Sequence, residues 1–141
     1  MEQRLSALSL EVSDLERSMR FYRALGWTVS SPDPAVAFAQ LNGLMLSLYR
    51  DQARDAGLAA KNDDAPSGRI SPAHNVRERE ELDALVARMA AAGGRVVTPA
   101  HDTDWGGRSA YVADPDGHLW ELAWNPFWPI DADGNVTLPA S

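Results

Sequence analysis

The carboxylate best placed for chemistry lies in the second half of the sequence. Glu121 stands between a tryptophan and a leucine, and successive side chains of a strand point to opposite faces. Alternation therefore predicts that Glu121 faces a cavity rather than the core. A carboxylate there can act as a general base or bind a donor group of a ligand. The alternative is a structural role, in which Glu121 bonds to Ser47, Ser71 or Tyr111.

Two other groups of carboxylates have simpler explanations. Asp114 and Asp116 belong to an Asp-Pro-Asp-Gly segment, whose proline and glycine are typical of a turn. We therefore exclude this pair as catalytic residues. The segment 101–107 carries a histidine and two aspartates, which could form a metal cluster, but such runs are mostly solvated loops with turn-forming side chains.

Composition excludes several classes of function. The chain has no cysteine, which excludes disulfides, thiolate metal sites and a cysteine nucleophile. A net charge of −7 repels phosphate backbones, so we expect no nucleic-acid partner. Neither a nucleophile elbow nor a phosphate-binding glycine loop is present. No apolar run suggests a signal peptide or a membrane span, so we expect a cytoplasmic protein without a membrane partner.

Periodicity predicts the elements of the first half. A helix begins in a capping box with Ser13 as N-cap and ends at Gly26. Asn42 and Gly43 predict a hairpin turn, because both residue types tolerate positive φ. Pro32 and Pro34 are expected to interrupt the strand that begins at Trp27. The predicted strands are 5–12, 27–30, 36–41 and 44–49.

The second half repeats this order. A helix over 79–92 ends at two glycines, and the predicted strands are 70–76, 95–98, 109–113 and 119–124. Between the halves, 51–60 is predicted to form a short helix and 61–68 is polar and turn-rich. The order β-α-β-β-β thus occurs twice. We predict a single α+β domain over 1–141, with module one at about 4–50, a linker at about 51–68, module two at about 69–125 and a tail at 126–141.

Two motifs in these modules carry a family resemblance. Residues 12–18 read Val-Ser-Asp-Leu-Glu-Arg-Ser and lead into Phe-Tyr and Leu-Gly-Trp, whereas 114–122 read Asp-Pro-Asp-Gly-His-Leu-Trp-Glu-Leu. Together they resemble the vicinal oxygen chelate superfamily of glyoxalases, bleomycin resistance proteins and dioxygenases. The resemblance implies two βαβββ modules that form a curved, barrel-like sheet around a cavity. It also implies a homodimer, but it leaves the activity open, because this scaffold carries unrelated chemistries.

The resemblance also locates the four positions at which metal-using relatives hold a divalent ion. They fall on Ala7, Ser47, Ser71 and Glu121, of which only Glu121 is a typical ligand. A catalytic ion needs about three protein ligands, so we expect no metal site and no cofactor, and a divalent ion is disfavoured. His74 is the nearest replacement ligand, but its strand position places it on the packing face.

Further ligand contacts follow from the same resemblance. A tyrosine of fosfomycin-modifying relatives that matches Tyr111 faces the cavity. Bleomycin-binding relatives stack aromatic drugs on tryptophans, a role that Trp105 in its glycine-containing loop and Trp128 in the tail could fill, with simple packing as the alternative. The predicted ligand-binding residues are Ser9, Ser47, Ser71, Trp105, Tyr111 and Glu121.

Three functions are compatible with these residues. The favoured one is a metal-free protein that binds a small hydrophobic or aromatic molecule in its cavity. The alternative is an enzyme, a lyase, isomerase or dioxygenase-like protein, that uses Glu121 as acid/base or within an altered metal site. The third is a domain whose role is protein association. Whether the chain is an enzyme stays open at this point.

Overall fold

The computed structural model describes residue 1 and residues 5–50 and 70–136. Within these ranges the elements follow the predicted order, β-α-β-β-β twice. They are β1 Ala7–Glu11, α1 Leu15–Ala24, β2 Val29–Asp33, β3 Val36–Gln40, β4 Met45–Tyr49, β5 Ala73–Asn75, α2 Glu81–Ala91, β6 Arg95–Asp102, β7 Arg108–Ala113 and β8 Leu119–Trp124. The helix predicted over 51–60 and the linker over 61–68 lie outside the described residues. Neither described helix is long and apolar enough to span a membrane.

Each module forms one four-stranded sheet. The strand orders are β1-β4-β3-β2 and β5-β8-β7-β6, so the two sheets have the same topology. In each sheet the first strand of the module runs parallel to the last one, and the other neighbours are antiparallel. The α+β class and the two βαβββ modules are therefore confirmed. The sheets are curved, but they do not close into a barrel.

Two prolines lie inside strands, which corrects the expectation that Pro32 interrupts its strand. Pro32 belongs to β2 and Pro99 belongs to β6, and both strands stand at the edge of their sheet. An edge strand tolerates a residue without an N–H group, because one side of it needs no ladder hydrogen bond. The local cost is an irregular register, between Ser30 and Asp33 in β2.

The start of α1 differs from the predicted capping box. Asp14 is the N-cap, and its carboxylate accepts a hydrogen bond of 3.0 Å from the backbone N–H of Arg17. Ser13 bonds instead to Asp116 in the other module. The predicted end is correct, since Gly26 follows the helix with φ +93°, a conformation that glycine adopts without strain.

The hairpin turn before β4 also differs in detail. Gly43 has the expected positive φ of +67°, whereas no described residue other than glycine does, so Asn42 keeps a negative φ. The side-chain amide of Asn42 donates to the carbonyl of Asp133 and to Asn135 Oδ1, at 3.2 and 2.6 Å. Asn42 therefore ties the hairpin to the tail rather than supplying a left-handed turn residue.

Asp116 joins the two modules. Its Oδ1 accepts from the N–H and Oγ of Ser13 at 2.9 and 2.7 Å and from the Arg17 guanidinium at 2.7 Å. Its Oδ2 accepts from Ser18 Oγ at 2.5 Å. Burial opposes ionisation of this carboxyl, but the hydrogen bonds from Ser18 and Ser13 and the charge of Arg17 outweigh it. They hold the pKa of Asp116 below its ordinary value.

Asp114 in the same turn makes a second junction. Its carboxylate accepts from the hydroxyl of Tyr22 at 2.7 Å, and the Trp120 indole N–H donates to the Tyr22 oxygen at 3.2 Å. Tyr22 is fully buried. Burial, followed by the charge of Asp114, raises the pKa of Tyr22, so the phenol stays a donor to Asp114.

One hydrophobic core lies behind both sheets. It includes Leu46 of the first sheet, Tyr22 of α1, Leu82 of α2 and Leu122 of the second sheet, each at most 1 % exposed. Full burial of one such side chain stabilises the fold by roughly 1.5–3 kcal/mol. The modules therefore meet on the helix sides of their sheets, and the opposite sheet faces are turned away from the core.

The first prediction concerns the Asp116 junction. We expect Asp116→Asn to lower the free energy of unfolding by about 2–4 kcal/mol at neutral pH, because four charge-assisted hydrogen bonds lose their anionic acceptor. Urea denaturation measures this loss. The pKa of Asp116 is lower in the folded state, so its contribution disappears as the pH falls below the ordinary value of about 3.9 and through the folded value.

The matched control for this experiment is Asp104→Asn. Asp104 is exposed, and its side chain forms no hydrogen bond within residues 5–50 and 70–136. As the pH falls through the acid range, the free energy of unfolding should decrease more for the wild type than for Asp116→Asn. Asp104→Asn should show the same decrease as the wild type. Equal effects of the two substitutions at neutral pH would contradict the proposed junction.

Candidate functional site

Glu121 lies in the middle of the second sheet. In the register of β8 it stands between Ala73 of β5 and Tyr111 of β7, and its N–H donates to the carbonyl of Pro72 at 2.9 Å. Its neighbours Trp120 and Leu122 are buried in the core, whereas Glu121 is partly exposed. The carboxylate is therefore on the sheet face opposite the core, where alternation had placed it.

Tyr111 is the direct neighbour of this carboxylate. Burial raises the pKa of Tyr111 above its ordinary value, and the charge of Glu121 together with a side-chain hydrogen bond to it adds to the shift. Tyr111 therefore stays neutral at physiological pH beside the Glu121 carboxylate, its partner in the strand register. The phenol and the carboxylate lie side by side on a partly exposed sheet face, and both the structural and the ligand-binding role of Glu121 stay predictions.

Ser9 and Ser47 are neighbours on the first sheet. They face each other across β1 and β4, and Phe38 of β3 follows Ser47 in the same row. Ser9 is exposed and Ser47 is half-buried. Among the described residues neither hydroxyl has a hydrogen-bond partner, so both are available to an incoming polar group.

The hydroxyl of Ser71 already has a hydrogen-bond partner. Its Oγ donates to the carbonyl of Leu119 at 2.7 Å. The strand predicted from residue 70 begins only at Ala73, and Pro72 precedes it, so Ser71 acts as a side-chain link to β8 ahead of the ladder. A hydroxyl in this state is a poor ligand for a metal.

The four positions that the resemblance assigned to a metal do not fit a divalent ion. They offer the methyl group of Ala7, the hydroxyls of Ser47 and Ser71, and one carboxylate from Glu121. His74 does not complete this set, because it pairs with Leu122 in the register and lies on the helix side of the sheet. Within residues 5–50 and 70–136, no three His, Asp or Glu side chains form a group that could hold a metal.

The acidic segment begins at the end of β6, and its side chains there already have partners. Asp102 accepts from Arg79 at 2.6 Å and from Arg108 at 3.0 Å, and His101 Nδ1 lies 2.9 Å from the carbonyl of Pro99. Hydrogen bonds from Arg108 and Arg79 lower the pKa of Asp102. The expectation of a solvated loop is therefore wrong for His101 and Asp102, because both belong to β6 and pair with β7.

The Trp105 loop is a closed turn. Thr103 and Gly107 are joined by two hydrogen bonds of 3.0 and 3.1 Å. A Cβ atom on Gly107 would lie 1.7 Å from the Trp105 ring and 2.6 Å from the carbonyl of Trp124, so the ring covers the glycine. Trp105 is still 46 % exposed. Its predicted ligand contact, like the movement of a lid, stays a prediction.

Trp128 lies at a different place, beside the edge strand β5. It lines a cavity there together with Ala73, Asn75 and Ile130, and it is 43 % exposed. The register places Ala73 next to Glu121. Trp128 is therefore near the edge of the sheet face that carries the candidate carboxylate.

The candidate residues are divided between two sheets. Ser9 and Ser47 belong to the first, and Tyr111 and Glu121 belong to the second. In the described part of the chain no strand of one sheet adjoins a strand of the other, and the modules meet through α1 and α2. One chain therefore does not bring Ser47 and Glu121 together by strand pairing.

The structure contains a cavity that the sequence did not predict. It lies between the modules on the helix side of the second sheet and has a volume of about 340 Å³. Trp27 and Trp120 line it together with His74. Both tryptophans lie in or beside the two motifs, but no sequence signal shows that α2 leaves a space over them.

The second prediction concerns the Glu121–Tyr111 pair. In Glu121→Gln the pKa of Tyr111 should fall toward the ordinary value of about 10, because the negative charge that opposes phenolate formation is removed. NMR titration with ¹³C-labelled tyrosine measures this value. Glu16→Gln, which removes an exposed glutamate of α1, should leave it unchanged. A Tyr111 pKa that is identical in wild type and Glu121→Gln would refute the pairing.

Comparison with known proteins shows which family this chain resembles in sequence and fold. The profile of the Glyoxalase/Bleomycin resistance protein/Dioxygenase superfamily matches residues 4–122. A glyoxalase-related enzyme from Fulvimarina pelagi has a crystal structure that is 42 % identical, with a TM-score of 0.85 over 99 % of this chain and 100 % of that chain.

Two further relatives are more distant. A glyoxalase/bleomycin resistance protein/dioxygenase from Nocardioides is 31 % identical, with a TM-score of 0.67 over 88 % of this chain and 84 % of that chain. Protein CFP32 of Mycobacterium tuberculosis is 28 % identical in an alignment of 123 positions that covers 81 % of this chain and 44 % of that protein. The chain thus spans less than half the length of the curated relatives that it matches.

Proposed function

Because this chain belongs to the Glyoxalase/Bleomycin resistance protein/Dioxygenase superfamily, we propose that it is a glyoxalase-like protein that binds a small hydrophobic or aromatic molecule without the usual metal. The main support for this proposal is the set of side chains at the four positions where metal-using relatives hold an ion. Ala7, Ser47 and Ser71 supply no typical ligand, so Glu121 is left as one carboxylate where a catalytic ion needs about three protein ligands.

The surface around these positions supports an organic ligand. The sheet face that carries Ser47 also carries Phe38, Met45 and Tyr49, and the latter two are 37 % and 38 % exposed. Binding sites for organic molecules combine apolar walls with a few placed polar groups. In this proposal the ligand is held by these apolar side chains and is oriented by Ser47 on one sheet and the Glu121–Tyr111 pair on the other.

We further propose that the site is completed in a homodimer. The two candidate faces belong to separate sheets of one chain, and each is turned away from the shared core. A two-fold arrangement places the first sheet of one copy against the second sheet of the other and forms two equal sites. It would cover Met45 and Tyr49 and bring Ser47 opposite the partner's carboxylate. Cytoplasmic location stays a prediction.

An acid/base enzyme is the second candidate function. A specific observation favours it, namely a partly exposed carboxylate beside a phenol in the strand register, since such a pair can transfer a proton to or from a bound substrate. The Fulvimarina pelagi relative is described as a glyoxalase-related enzyme. Under this alternative Glu121 is the catalytic residue of a lyase or isomerase, and Glu121→Gln would abolish turnover.

The third prediction tests ligand binding with a neutral aromatic probe, N-phenyl-1-naphthylamine. We expect saturable fluorescence enhancement with the wild type. Ser47→Lys should weaken binding about tenfold or more, because it places a desolvated charge in an apolar site. Ser6→Lys, which changes an exposed serine ahead of β1, is the matched control. Absence of saturable binding, or equal affinity in Ser47→Lys and wild type, would contradict the proposal.

The fourth prediction tests the dimer by sedimentation velocity. The wild type should sediment as a dimer, and the double variant Met45→Glu, Tyr49→Glu should sediment as a monomer, because four buried charges would oppose association. Circular dichroism controls for folding. Since the site needs both copies, the monomeric variant should lose the probe. A wild-type monomer that binds the probe would refute the shared site and leave a binding function within one chain.

A further inference from the structure

A second cavity lies on the other side of the second sheet. The cavity of about 340 Å³ between the modules is bounded by α2, by β5 and β8, and by the segment after α1. Its lining residues lie on the helix side of the sheet and are mainly apolar, and they include Trp27, His74, Glu81, Ala84, Arg88 and Trp120.

One wall of this cavity is aromatic. The rings of Tyr22 and Trp27 are stacked, with centroids 5.3 Å apart and an interplanar angle of 17°, and Trp120 meets Trp27 edge-on at 5.7 Å. The Tyr22 hydroxyl and the Trp120 N–H are used within this network. The Trp27 indole N–H has no hydrogen-bond partner among the described residues. The wall therefore offers an aromatic surface and an available donor.

The charged groups of the cavity differ in their availability. Glu81 Oε2 accepts from the backbone N–H groups of Arg77 and Glu78 at 3.0 and 3.2 Å, so this carboxylate is occupied by the start of α2. Arg88 contacts only the carbonyl of Leu25, at 3.3 Å, and forms no ion pair within residues 5–50 and 70–136. Arg88 is thus the available charge of the cavity.

His74 contributes no competing positive charge. Burial lowers the pKa of its imidazole, against the opposing influence of Glu81, so the ring is neutral at physiological pH. Glu81 and Arg88 are seven positions apart on the helix, which corresponds to roughly 10 Å along its axis. An anion that binds at Arg88 is therefore separated from the carboxylate of Glu81.

We propose that this cavity binds an aromatic carboxylate of one or two rings. The ring system lies against Trp27, since flat apolar groups pack favourably on aromatic faces. The carboxylate pairs with the Arg88 guanidinium, whose fork of N–H groups matches two carboxylate oxygens. This site is distinct from the one of the proposed function, because Glu121 and the cavity lie on opposite sides of the same strand.

The experiment uses the full chain and the probe 2-naphthoate, with 2-naphthalenemethanol as its uncharged counterpart. Isothermal titration calorimetry should show saturable binding of 2-naphthoate to the wild type. Arg88→Gln should weaken it about tenfold or more and leave 2-naphthalenemethanol nearly unchanged. Arg20→Gln, at an exposed arginine of α1, is the matched control and should not differ from the wild type.

A second variant tests the cavity without relying on the Arg88 substitution. Ala84→Phe fills the cavity from an exposed position of α2 without removing a core side chain, and it should weaken both naphthalene probes. The proposal is overturned if 2-naphthoate does not bind, or if Arg88→Gln and Ala84→Phe bind it as the wild type does. Failure of N-phenyl-1-naphthylamine to bind would contradict the proposed function and leave this result standing.

Discussion

The arrangement of the whole molecule depends on the hydrogen bonds between α1 and the Asp-Pro-Asp-Gly turn. Asp116 accepts from Ser13, Arg17 and Ser18, while Asp114 accepts from Tyr22. These bonds join the start of one module to the end of the other and hold the helix sides of both sheets in one core. The two family motifs are therefore in contact with each other, and the residues that form this contact stabilise the scaffold, whereas Glu121 of the second motif lies on the opposite sheet face.

This arrangement determines what is available for function. Since the helix sides share the core, the opposite faces of both sheets remain accessible, and they carry Ser9, Ser47, Tyr111 and Glu121. The polar groups there are few, and two of them, Tyr111 and Glu121, are neighbours across β7 and β8. A face of this kind is suited to an organic molecule held by shape and a few hydrogen bonds. The aromatic residues that bury the junction also form one wall of the separate cavity at Arg88.

Local patterns in the sequence predict the helices and strands well. They predict poorly which distant residue a side chain will bond to or pack against. The order of the elements, the bounds of β8 and the end of α1 at Gly26 follow from alternation, helical spacing and glycine. Ser13 was wrongly predicted as the N-cap because its preferred partner is Asp116, 103 residues away. Pro32 was wrongly predicted to interrupt its strand because edge position depends on the sheet order. The cavity depends on how α2 packs over Trp27, which no local pattern encodes.

We propose that this chain keeps the family's scaffold without its chelating donors. Metal analysis of the untagged chain tests it most directly, after equilibration with one equivalent each of Zn²⁺, Ni²⁺ and Mn²⁺ and removal of free ions. We expect far less than one bound ion per chain, and the same metal content in wild type and Glu121→Gln. One tightly bound ion per chain that is lost in Glu121→Gln would contradict it.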